Sequence, residues 1–211
     1  MTVFELDKFN VTEFDRILSK GLSKGMGDRD SQVCIEAAIC QVIGLPHGDD
    51  PGCVADSVRA FKIRLNDSPW SSPKARADGL RDLGLAQLGS KGVVDDQMFA
   101  KRMAGETIRV LIPKLFRQVL PNDKACMEAA DKCENEPNSD SAAAAAAASA
   151  WAAAAAEAAS EAWAAEEAAR AAARAAASAA NRNDTYLLLS ASIALGILKE
   201  LKSPGVALLK N

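Results

Sequence analysis

The chain has 211 residues, 49% of them hydrophobic, 25% charged and 5% aromatic, with a formal net charge of −3. That length and balance point to one large or two small globular domains and exclude a disordered, collagen-like or disulfide-dense chain. The long uncharged stretch is alanine with serine, too weakly hydrophobic for a membrane span, and a pI near 5.3 gives no general reason to expect nucleic acid as a partner. The opening MTVFELDKFN has neither a basic lead nor an apolar core, so no secretion signal is expected. Five cysteines (Cys34, Cys40, Cys53, Cys126 and Cys133) at irregular spacings fit reduced, mostly buried thiols in a cytoplasm.

Charge is unevenly divided. Residues 1–120 carry 17 Lys+Arg against 16 Asp+Glu, residues 121–180 carry 4 against 10, and residues 181–211 carry 4 against 2. Composition shifts in the same places, because 28 of the 39 residues from Ala142 to Ala180 are alanine. The expected organisation is a helical domain over residues 1–134, a linker over 135–141 rich in Glu, Pro, Asn and Ser, an alanine-rich helix over 142–182, and a C-terminal helix over 183–211 packing back on the domain.

Strand patterning is almost absent and helix punctuation is frequent, so the expected class is all-α, a multi-helix bundle with one long alanine-rich helix. Asn10 with Glu13 is a capping-box pattern flanked by Phe9 and Phe14 as a hydrophobic staple. It starts a helix over about 11–20. A second helix is expected over about 32–43, ending at Gly44. Asp50–Pro51 looks like a cap followed by proline at the first helical position, and Val54, Val58, Phe61 and Leu65 then form one apolar stripe. Ser72–Pro73 repeats that start signal for a helix stopping at Gly89. Another begins near Asp95 and runs past Pro113, which should kink it, to Pro121. A shorter helix covers about 123–133. Asp140 and Ser141 are the expected cap of the alanine helix. At 1.5 Å per residue it would span roughly 58 Å, against a radius of gyration of about 17 Å for the whole chain. Its bare alanine face reads as a packing surface within the fold or between copies of a homo-oligomer.

Residues 23–72 carry the densest chemistry. The 32–43 helix is apolar nearly all round, so Glu36, its only charge, needs a partner, with Arg29, Lys62 and Arg64 as candidates. Lys62, Arg64 and Asn66 with Arg29 form a donor-rich group suited to an anion. Ser71 and Ser72 at the next helix start add hydroxyl and backbone donors. Trp70 could stack on a ring, and His47 lies in the rigid Gly44–Gly52 loop. The expected site therefore holds a small anionic, nucleotide-like ligand, with Arg29, Lys62, Arg64, Asn66, Ser71 and Ser72 as donors. His47 and Trp70 would shape the pocket and Glu36 would orient the basic groups.

Other chemistries read less well. Cys34 near the start of the 32–43 helix is a candidate nucleophile, but His47, the single histidine, lies about one helix length away, roughly 13 Å. The set His47, Asp49, Asp50 and Cys53 matches no metal-ligand spacing, so no metal, cofactor or catalytic residue is expected. SKGMG at residues 23–27 lacks the spacing of a phosphate loop. The alternatives are an interaction or structural protein acting through the alanine-rich helix, and a cysteine- or metal-dependent hydrolase.

The stretches SQVCIEAAICQVIGLPHGDDPGCV, FKIRLND with PWSS, and LKELKSPGVALL resemble helical proteins encoded by bacteriophages and prophages. The resemblance covers residues 23–92 and 185–209. It implies a setting, the cytoplasm of an infected bacterium, where small non-enzymatic binders that sequester nucleotide signals operate, as do accessory proteins that bind host factors.

Overall fold

The computed structural model describes residues 4–138, 140–145 and 184–210. These form an all-α structure. Its helices are α1 (Val11–Leu18), α2 (Ile35–Val42), α3 (Asp56–Asn66), α4 (Pro73–Ala86), α5 (Asp96–Glu106), α6 (Ile112–Val119) and α7 (Lys124–Asn135). Residues 140–145 and 184–200 are also helical. Short 3-10 turns occupy Leu6–Lys8 and Pro204–Lys210. Among the described residues the extended chain amounts to one isolated antiparallel bridge, Gly27 to Val33. No helix among them is long and apolar enough to cross a membrane.

Side-chain caps decide where several helices start. Asn10 Oδ1 accepts from Glu13 N at 3.0 Å to open α1, and the Phe9 and Phe14 rings meet edge-on at 5.6 Å as a staple should. Ser72 Oγ accepts from Ala75 N with Pro73 in the first turn of α4, and Asp123 Oδ1 accepts from Cys126 N to open α7.

Three expectations are corrected. The helix placed at Asp50–Pro51 begins instead at Asp56, after the N-cap Ala55. Asp50 Oδ1 accepts from Gly52 N, a side-chain turn that competes with helix capping, and Gly52 follows at φ +69°. The helix placed at Gln32 begins at Ile35, because Cys34 keeps extended backbone and acts as its cap. The cap of residues 140–145 is Asn138 rather than Asp140 or Ser141: its Oδ1 accepts from both Asp140 N and Ser141 N, while Asn138 N donates to Ser141 Oγ. The rest of the expected alanine-rich helix, from residue 146 onward, lies outside the described residues.

Pro113, expected to kink its helix, stands instead just after a change of helix type. It has no N–H to give the Arg109 carbonyl, and its ring crowds that carbonyl. The turn from Thr107 to Leu111 widens into a π-helix ahead of α6.

The chain divides into two units, Met1–Met103 with Asn183–Asn211, and Ala104–Arg182. The sequence reading placed residues 1–134 together; α6 and α7 instead bury a core of their own. In it Phe116, Cys126, Ala129, Ala130, Cys133 and Ala145 meet Ile108, Ile112 and Leu120.

In the larger unit α2 is the central element. All six residues from Ile35 to Cys40 are buried, and the helix contacts α1, α3 and α4. Ala37 and Ala38 let neighbours approach closely, while Ile35 and Ile39, both at 0% exposure, contribute about 1.5–3 kcal/mol each by burial. The helix over 184–200 contributes Ala191, Ala194, Ile197 and Leu198 to this core. Past it, Ser203 Oγ donates to the Ala86 carbonyl and Gly205 N to the Leu88 carbonyl, which docks the Pro204–Lys210 turn on the end of α4.

That docking leaves no room at Gly205, where an added Cβ would lie 2.1 Å from the Leu85 carbonyl oxygen and 2.8 Å from Leu88 N. Gly205→Ala is therefore expected to destabilise the fold by about 1–3 kcal/mol. Hydrogen exchange should show faster exchange at the Gly205 amide while α2 stays protected.

Candidate functional site

The centre of the site is a charge pair closed inside the core. Lys62 Nζ on α3 lies 3.1 Å from Glu36 Oε1 on α2, both side chains at 0% exposure. Gln87, at the end of α4, donates from Nε2 to Glu36 Oε2 at 2.9 Å. Three segments distant in sequence thus meet at one carboxylate. Burial pushes the Glu36 carboxyl up and the Lys62 ammonium down, each toward its neutral form, against their mutual attraction. Glu36 Oε1 and Lys62 Nζ are partners to each other, while the Gln87 Oε1 atom is buried with no hydrogen-bond partner among the described residues.

Asn66, one turn beyond Lys62, ties the surroundings together. Its Oδ1 accepts from Ile35 N at 3.4 Å, and its Nδ2 donates to the Ser23 carbonyl and to Asp67 Oδ1. Arg76 is buried beside it, donating from Nε to the Asn66 carbonyl and from a terminal nitrogen to the Leu22 carbonyl. These bonds anchor the loop between α1 and α2 over the start of α2. The loop folds back on itself through Ser23 N to Val33 O, Cys34 N to Met26 O and Asp28 N to Gln32 O. Gly25 N adds a bond to Asp67 Oδ1 at 2.8 Å. Gly27, at φ +72°, has space for no side chain, since a Cβ there would sit 2.1 Å from the Gln32 carbonyl oxygen.

Beneath this loop is a cavity of about 50 Å³. Gly25 and Met26 from the loop cover it, Cys34, Ile35 and Glu36 supply the α2 side, and Ile63, Asn66 and Asp67 supply the α3 side. Asp49 completes the wall. The 46–50 loop is held beside it by two contacts. His47 Nε2 donates to the Gly27 carbonyl at 3.2 Å, which places a proton on that nitrogen. Arg59 donates to the Asp49 carbonyl at 3.0 Å and contacts its carboxylate at 3.3 Å.

The nine residues expected to form an anion site are brought together only in part. Glu36 and Asn66 line the cavity, Lys62 stands behind Glu36, and His47 braces the covering loop. Of the three proposed partners for Glu36, Lys62 is the one used. The other donors go elsewhere. Trp70 is buried and donates from Nε1 to the Leu65 carbonyl, a packing role that leaves no ring face for a ligand. Ser71 donates from its backbone and hydroxyl to Asp184 at the start of the C-terminal helix, and Ser72 is occupied as the α4 cap. Arg29 and Arg64 are exposed and contribute nothing to the cavity wall. The wall is acidic where a basic one was expected.

Sequence reasoning missed Gln87, Asp67 and Ile63. Asp67 carries a local signal, being the C-cap of α3 beside Asn66; Gln87 carries none, because it reaches Glu36 across 51 residues.

Removing one member of a buried ion pair strands the other charge, whereas removing both does not. Lys62→Met is expected to cost about 3–5 kcal/mol in denaturant unfolding, and Glu36→Gln with Lys62→Met together less than the sum of the two single changes.

Comparison with protein-family models, with curated proteins and with solved structures finds no match to this chain.

Proposed function

We propose that this protein is a non-enzymatic binding protein that takes a small ligand, or the terminal group of a larger one, into the cavity between the α1–α2 loop, the start of α2 and α3. The observation that carries this reading is the cavity itself, whose wall brings together polar side chains from α2 and α3, Glu36, Asn66 and Asp67, beside the apolar Met26, Ile35 and Ile63. Small-molecule sites combine an apolar lining with a few convergent polar groups in a concavity.

Size restricts what enters. Pockets that enclose drug-sized ligands have about 300–1,000 Å³, and this one has about 50 Å³. A whole nucleotide, the ligand suggested by the basic residues in the sequence, is too large for it. The resemblance to phage-encoded helical proteins supports placing such a binder inside an infected bacterial cell.

A catalytic reading has less support. The Cys34 thiol accepts a bond from Ala37 N, and burial pushes its pKa up, the opposite of what a thiolate nucleophile needs. His47 is engaged separately with Gly27. Among the described residues no group of three His, Cys, Asp or Glu side chains is arranged to hold a metal ion.

Two measurements test this. A fragment screen followed by amide chemical shifts should yield compounds whose perturbations cluster at residues 25–36 and 63–67 and vanish in Ile63→Phe, which fills the cavity. Perturbations elsewhere, or none, would remove the reading. Thiol titration at pH 8 should find five cysteines in denaturant and almost none in the native protein, since all five are buried. Burial pushes Cys40 up to about 11, so the unfolded chain ionises this thiol first and stability should fall as pH rises from about 9 toward 11.

A further inference from the structure

We infer that the group this cavity accepts is a small alkylammonium, an inference that rests on the binding role proposed above and names its ligand class. The wall divides into two kinds of surface. Met26, Ile35 and Ile63 supply apolar contact, while Glu36, Asp49 and Asp67 supply carboxylates. Neither Lys nor Arg lines it.

The cations nearby act from outside the wall. Lys62 is on Glu36, Arg59 is on Asp49, and Arg76 holds the carbonyls of Leu22 and Asn66 next to Asp67. The neighbourhood is therefore close to neutral in sum, yet the charged groups that reach the cavity are acceptors. Both hydrogen bonds to the Asp67 carboxylate, from Gly25 N and Asn66 Nδ2, fall on Oδ1. Its Oδ2 is thus left for a donor.

Two ligand classes compete. The start of α2 borders the cavity with roughly half a positive charge, which favours an anion. Against it stand three carboxylates on the wall itself, with their cations absent from the lining, so an anion placed there would meet the acidic groups first. An ammonium head brings three N–H donors and one charge, matching acceptors on both the α2 and α3 sides, and its alkyl stem fits the apolar wall. The volume, about 50 Å³, admits a few heavy atoms, since one water needs about 10–15 Å³ on the same scale.

The test uses the full-length chain at neutral pH and three probes of similar size: ethylammonium, acetate and ethanol. In amide-resolved titrations ethylammonium should shift Gly25, Met26, Ile35 and Asp67 in a saturable way, more weakly as salt is added. Asp49→Asn, at an exposed position outside the core, should weaken it about three- to tenfold with the helical circular dichroism unchanged. Equal or tighter binding of acetate or ethanol at the same amides would overturn the ammonium assignment and leave the binding role intact. No response to any probe at those amides, in protein whose spectrum is otherwise native, would overturn both.

Discussion

Everything in the larger unit is arranged around a carboxylate that has been taken out of water. Moving Glu36 and Lys62 into the core costs several kcal/mol per ion, and their attraction at 3.1 Å only offsets that cost. A well-packed apolar pair would serve stability as well. What the ion pair supplies is a demand for one register: α2, α3 and α4 must meet so that Lys62 and Gln87 both reach the same carboxylate. A slip of one residue in α2 or α3 leaves a buried charge without its partner, and a slip in α4 removes the Gln87 amide from the carboxylate. The same demand leaves polar atoms facing inward beside a cavity, and so scaffold and candidate site share one origin.

Asn66 extends that arrangement to the surface. Through it the α3 terminus holds the start of α2 and the loop above it, and Arg76 fixes the Asn66 backbone from α4. The covering loop is thus bonded to the core at one end and braced by His47 at Gly27. Met26, which lines the cavity, is itself nearly half exposed at 47%.

Much of the helical framework was legible because its signals are local. Asn10, Ser72 and Asp123 each bond a backbone N–H three residues on, and such a cap can be read from a few letters. Asp50 shows the limit of the method. The same residue type before proline can cap a helix or close a turn, and the glycine two positions later decided for the turn. The isolation of Glu36 on an apolar helix correctly announced a buried partner, and Lys62 was among those named. The anion site was misjudged for a different reason: proximity in sequence does not say which way a side chain leaves its helix. Arg64 and Asn66 lie two residues apart on α3, and they end on opposite sides, one exposed and one buried.

The larger unit is discontinuous, with residues 104–182 entering between its two parts. During synthesis the first 103 residues emerge without Ala194, Ile197 and Leu198, which complete their core, and without the turn that clasps α4. Vectorial folding from the ribosome therefore cannot finish this unit early. Until the C-terminal helix arrives, the apolar side chains that pack against it have no cover from that part of the chain.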